Sequence, residues 1–137
     1  MRTRRVVNLL NGSTALGLVI ARAGGGRVRR GPDGLLLAEG CRLMPPTAGA
    51  FTVGDLVLTG GRFADLERSI PRVLVHEGRH AVQWARLGPA FLPAYLLGTA
   101  WSWARTGDRA ARNPFERAAG LADGGYRDAP VRRRGRR

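Results

Sequence analysis

The stretch Val73–Leu87, VLVHEGRHAVQWARL, sets His76, Glu77 and His80 in the spacing H-E-x-x-H, and the chain has no other histidine. Val73, His76, His80, Gln83, Trp84 and Leu87 recur at steps of three and four, so a helix is expected with both histidines on its inward stripe. Residues four apart on a helix stand one turn above each other, and two imidazoles can then reach one tetrahedral zinc ion together. Glu77 is turned by about 100° from His76, which directs it at a water rather than at the metal. Two helix-surface histidines beside a solvated glutamate are the plain alternative, and the shared stripe with apolar residues argues against it. A buried imidazole pair without a metal needs polar partners, and no second pair of obvious ones is visible.

Two histidines leave zinc short of a protein ligand, because catalytic sites use three. Glu116 sits in N-P-F-E-R-A-A-G. Asn113 is a helix cap, Pro114 suits the first helical position, and a short helix is expected over residues 115–121. Ala119 and Gly120 are small enough to let this helix approach the first one closely. Glu116 is therefore the expected third ligand; an exposed first-turn glutamate favoured by the helix dipole is the competing reading. Asp108, Asp123 and Asp128 are rivals with no comparable support from a rigid helix.

At 137 residues the chain is expected to form one domain over residues 1–131, β-leaning in 1–61 and helical in 62–131, with a basic disordered tail at 132–137. The net charge of +13 resembles a nucleic-acid signature, but all 23 basic residues are arginine and they concentrate at the two ends and at Arg27, Arg29 and Arg30. Such runs read as solvated tails. Aromatic residues interleaved with the basic ones, which readers of single strands need, are missing from them, so nucleic acid is not the expected partner. The lone Cys41 excludes an internal disulfide and fits a reducing compartment. The amino terminus imitates a signal peptide, yet Asn8, Asn11, Gly12, Ser13 and Thr14 interrupt its apolar run, which favours a cytoplasmic chain over an exported one. A second apolar run, residues 87–104, is broken by Pro89 and Pro93 and reads as the packing partner of the histidine helix. Peripheral membrane contact through Phe91, Tyr95, Trp101 and Trp103 is the alternative use of that run.

In chain order, residues 2–23 read as a strand or short helix, or as two short elements split at Asn11-Gly12. Residues 24–34, rich in glycine and arginine, read as a loop, and 35–38 as a short buried strand. Residues 51–59 form either a tight hairpin at Gly54-Asp55 or, as favoured here, a strand through Leu56, Val57 and Leu58. A short helix or turn at 64–69 precedes Pro71 in the first turn of the histidine helix, and Gly88-Pro89 stops that helix. A further helix is expected over residues 92–105.

The segment 75–125, with H-E-G-R-H, then Gln83-Trp84, then Leu87-Gly88-Pro89, then Asn113-Pro114-Phe115-Glu116, resembles the small gluzincin-type metallopeptidases, including bacterial domains with H-E-x-x-H followed by Gln. The resemblance implies an α+β, minimal zincin-like domain, with a small N-terminal sheet packed on a helical half. It implies Zn2+ held by His76, His80 and Glu116, Glu77 as general base, and a peptide or protein substrate. Larger gluzincins often carry an Asp one turn after the glutamate ligand, and here that place is Gly120; Asp123 is the substitute carboxylate that would brace a metal ligand from behind. They also stabilise the oxyanion with His or Tyr, which leaves Tyr95, Tyr126 or an arginine. Zincins commonly bind peptide along an edge strand, for which residues 56–59 are nominated. Two further readings are a zinc-stabilised interaction domain without activity, and a basic membrane-surface or nucleic-acid-associated protein whose metal is structural. The sequence does not fix the oligomeric state.

Overall fold

The computed structural model describes residues 2–45 and 48–133. Its fold is α+β: six α-helices and a four-stranded sheet among the described residues. The chain begins with two helices, α1 (Arg2–Leu10) and α2 (Ser13–Ala23), bent by 74° at the Asn11-Gly12 break. The β-leaning front is thus corrected for its first 23 residues. Little of α1 is buried, and polar contacts hold it. Asn8 donates from Nδ2 to Asp55 Oδ1 at 3.1 Å and to Ala81 O at 3.0 Å, and Arg4 Nε meets Asp55 Oδ1 at 2.7 Å. These partners lie 47 to 73 residues away, which is why no local pattern announces them. The described residues contain no single helix long and apolar enough to cross a membrane; α1 and α2 pass that test only together, as the bent pair.

The sheet runs β1 (Arg27–Arg30), β2 (Leu36–Glu39), β4 (Leu56–Leu58), β3 (Phe51–Val53), with β2 and β4 parallel and the outer pairs antiparallel. The expected loop at 24–34 therefore contains a strand. All four β1 residues are exposed and three are arginine, the composition of a guarded edge; Arg29 pairs across the ladder with Glu39 at 3.1 Å. Residues 51–58 are a hairpin rather than one strand. Its two-residue turn has a positive φ only at Gly54, the backbone of a II′ turn, which suits the twist of the flanking strands. A Cβ at Gly54 would meet Ser13 and Thr14 backbone within 2.7 Å, so glycine also lets α2 seat on the turn.

Successive strand residues face opposite sides. Leu56 and Leu58 pack with Ala38 and with Ala21 of α2, whereas Val57 and Leu37 pack with Phe63 of α3 (Phe63–Ser69) and Ala81 of α4 (Val73–Leu87). Trp84 of α4 closes the β3 edge of the core and donates its Nε1–H to Thr52 O at 2.8 Å. The nominated peptide edge is corrected here: β4 lies between β2 and β3, so the edges among the described residues are β1 and β3.

Gly88 has φ of 60° and ends α4, and a single 3-10 turn, Gly88–Ala90, leads into α5 (Phe91–Thr106). The last helix, α6 (Pro114–Ala119), begins as expected: Asn113 accepts the Phe115 N–H at 3.0 Å while its Nδ2 donates to Thr99 Oγ1 at 3.2 Å on α5. A Cβ at Gly98 would meet Asn113 Oδ1 at 2.6 Å, so that glycine admits the cap against α5. Of the basic tail, Arg132 and Arg133 are exposed and without regular structure, and Arg132 N donates to Arg105 O at 2.8 Å; residues 134–137 lie outside the described residues.

Candidate metal centre

The buried positions of α4 are Val73, His76, Glu77, His80, Ala81 and Trp84, a single stripe at helical spacing. Both histidines are at most 5% exposed. Their rings stand edge to face with centroids 4.7 Å apart, and their Nε2 atoms lie 3.0 Å from each other. Glu116 of α6, 2% exposed, brings Oε2 to 2.9 Å from His76 Nε2 and 3.4 Å from His80 Nε2. His76, His80 and Glu116 thus form a group that could hold a metal ion.

Two features of the network fit a cation held by this group. His76 Nδ1 lies 2.9 Å from Gly120 O, which can only accept, so this nitrogen carries the hydrogen. His80 Nδ1 lies 2.7 Å from Gln83 Oε1, and the amide is oriented by its own Nε2 donating to Phe115 O at 2.9 Å. Neutral rings in these tautomers present lone pairs at both Nε2 atoms. The carboxylate Oε2 that faces them is buried and receives no hydrogen bond. Three lone pairs converging away from water repel one another unless a positive charge lies between them. At bond lengths of about 2.0 to 2.1 Å, ligands on a tetrahedral zinc stand about 3.3 Å apart, close to the observed 2.9, 3.0 and 3.4 Å. The donor set of two imidazoles and one carboxylate fits that ion.

The carboxylate is fixed from its other side as well. Tyr95 of α5 donates its hydroxyl to Glu116 Oε1. Tyr95 is pushed far above an ordinary phenol, first by burial and then by the charge of Glu116, and it stays a donor.

Glu77, 5% exposed, points elsewhere: its Oε2 accepts from Thr52 Oγ1 at 2.6 Å. Thr52 therefore touches α4 twice, through Glu77 and through Trp84, and fixes edge strand β3 beside the histidine helix. Glu77, His80 and Glu116 share a cavity of about 320 Å³ with Phe51 and Thr52 of β3 and with Tyr126. The Tyr126 ring packs 5.8 Å from that of His76, and its hydroxyl makes no hydrogen bond among the described residues. Burial, then the negative charges of Glu116 and Glu77, raises its pKa, so it too keeps its proton.

Asp123 does not support a histidine. It accepts from Arg72 Nε at 2.7 Å and from Arg79 Nη1 at 2.8 Å, on the outer side of α4. Arg79 also donates to Ala119 O at 2.7 Å. The place that the sequence reading offered to Asp123 is held instead by the Gly120 carbonyl, for which no side-chain signal exists, and on the other histidine by Gln83, which the motif's neighbourhood does contain. The rivals Asp108 and Asp128 lie outside the group: Asp108 caps the turn at Ala110 and Ala111, and Asp128 pairs with Arg117. Phe91 and Tyr95 face inward, whereas Trp101 and Trp103 are exposed. Compared with protein-family models, curated proteins and solved structures, the chain shows no match.

Proposed function

We propose that the chain is a zinc-dependent peptidase of gluzincin type. The observation that carries this reading is the convergence of His76 Nε2, His80 Nε2 and Glu116 Oε2 beside a cavity into which a separately held carboxylate, Glu77, projects. His76, His80 and Glu116 would hold the metal, and a zinc ion there supplies a Lewis acid that polarises a carbonyl and makes water acidic. The residues of the chain do the remainder. Glu77 takes a proton from the attacking water and returns it to the leaving amine. Thr52 leaves the Glu77 carboxylate one oxygen for that transfer by occupying the other. The Tyr126 hydroxyl, without a hydrogen bond among the described residues, would donate to the developing oxyanion. Tyr95, spent on Glu116, is a positioning residue instead.

An extended peptide would lie beside β3, which contributes Phe51 and Thr52 to the cavity wall; the Thr52 carbonyl is taken by Trp84, so side-chain contacts in the cavity rather than a full strand ladder would hold it. The Glu77→Gln variant tests the reading. It keeps the Thr52 contact and the metal ligands but cannot accept the proton. Zinc content should be unchanged while cleavage of a mixed peptide library falls by about 10²-fold or more. Equal cleavage by wild type and variant would refute the assignment. A wild type that binds zinc and cleaves nothing would leave a zinc-stabilised interaction domain.

A further inference from the structure

From Phe91 to Ala104 helix α5 carries no charged residue, yet Phe91, Gly98 and Ser102 are the only ones it buries. Its outer side exposes Pro93, Leu96, Leu97, Ala100, Trp101 and Trp103; Leu97 is 73% exposed and the two tryptophans 57% and 56%. An apolar helix face of this size in water marks a docking surface. Basic groups border it at one end. The guanidinium of Arg105 lies 5.2 Å from the Trp101 ring centre, and that of Arg109 lies 5.6 Å from the Trp103 ring centre. The bond from Arg132 N to Arg105 O brings Arg132 to the same end.

We propose that this face of α5 lies on the surface of an anionic lipid bilayer, with Trp101 and Trp103 in the interface and the arginines on the headgroup phosphates. A helix with one wholly apolar side and cationic residues at its border is the form that rests in an interface, and tryptophan is the side chain that favours that depth. A second copy of the chain is a poorer occupant. Each copy carries a net charge of +13, so pairing two copies would gather like charge. Nucleic acid is poorer as well: Trp101 and Trp103 could stack bases, but the exposed aliphatic surface of Pro93, Leu96, Leu97 and Ala100 would stay uncovered. Leu92 and Leu96 also line the cavity beside the histidines, so docking would bring its mouth close to the bilayer. The proposal holds whether or not the site hydrolyses peptides.

Vesicles of equal phosphatidylglycerol and phosphatidylcholine, and of phosphatidylcholine alone, mixed with the full chain, provide the test by co-sedimentation and tryptophan emission. Binding is expected to the anionic vesicles and roughly tenfold or more weaker to the neutral ones, with a blue shift quenched by brominated acyl chains. Trp101→Ala with Trp103→Ala, and separately Leu97→Glu, should each cut that binding by about tenfold or more with unchanged far-ultraviolet circular dichroism. Undiminished binding by both variants would assign the effect to arginines alone and overturn the proposal. So would absence of vesicle binding, whether or not these substitutions abolish self-association or binding to a polyuridine strand.

Discussion

The backbone carbonyl of Gly120 accepts the Nδ1 hydrogen of His76 at 2.9 Å, so the residue that ends α6 also sets the tautomer of the first histidine on α4. The same carbonyl lies 3.2 Å from the Gly124 N–H, which curls the following turn around the imidazole. One short segment, residues 113–124, therefore supplies the acidic ligand and the orienting acceptor for a ligand on another helix. Outer contacts of this kind fix a ring in place before the metal arrives.

Gly124 is where this arrangement is tightest. A Cβ there would lie 2.6 to 2.8 Å from three atoms of the His76 ring. Gly124→Ala should displace the imidazole or the turn and weaken zinc binding by about tenfold or more, with little change in helix content. Competitive titration against a chromophoric chelator measures this. Wild-type affinity in the variant would mean that the turn does not confine the ring.

Tyr95→Phe removes the donor to Glu116 Oε1 and keeps most of the ring's packing against Phe91 and Phe115. Zinc affinity should drop by about 10 to 100-fold, as for other outer-sphere partners. Peptide cleavage at saturating zinc should fall less than in Glu77→Gln. An affinity loss matched by no loss of thermal stability in the metal-free protein would separate positioning from packing.

Much of the site could be read from residues whose side chains carry the chemistry. The H-E-x-x-H spacing placed His76, Glu77 and His80 on α4, and Asn113-Pro114 located the helix that presents Glu116. What could not be read depends on groups without a side-chain signature or on distant partners. Every residue has a carbonyl, so nothing marked Gly120 as the acceptor for His76. Helix α1 owes its place to Arg4 and Asn8 meeting Asp55 across the fold, and edge strand β1 has neither a buried face nor alternation. The parallel pairing of β2 with β4, which leaves β3 as the outer strand beside α4, is likewise a tertiary choice.

Asp123 offers a pH test away from the ligands. Slight desolvation raises its pKa, but hydrogen bonds from Arg79 and Arg72 and their charges outweigh this and hold the carboxyl below its ordinary value. A depressed folded pKa gives stability that is present above the unfolded value of about 3.9 and is lost as pH falls through the folded value. Asp123→Asn should therefore lower the melting temperature slightly at pH 6, by a margin that narrows as pH falls below about 3.9. Because the carboxylate is only half-buried and its arginine partners are exposed, the effect should also shrink with added salt. A constant difference between the two proteins from pH 6 to pH 2 would contradict the ion-pair assignment.

The central claim is that His76, His80 and Glu116 form one metal site, and zinc stoichiometry tests it most directly. Protein stripped of metal, re-equilibrated with limiting zinc and passed over a desalting column should retain one zinc per chain. His80→Ala and Glu116→Ala, checked for native circular dichroism, should retain much less. A folded wild type that emerges without zinc, or a Glu116→Ala chain that retains it as fully as wild type, would contradict the account.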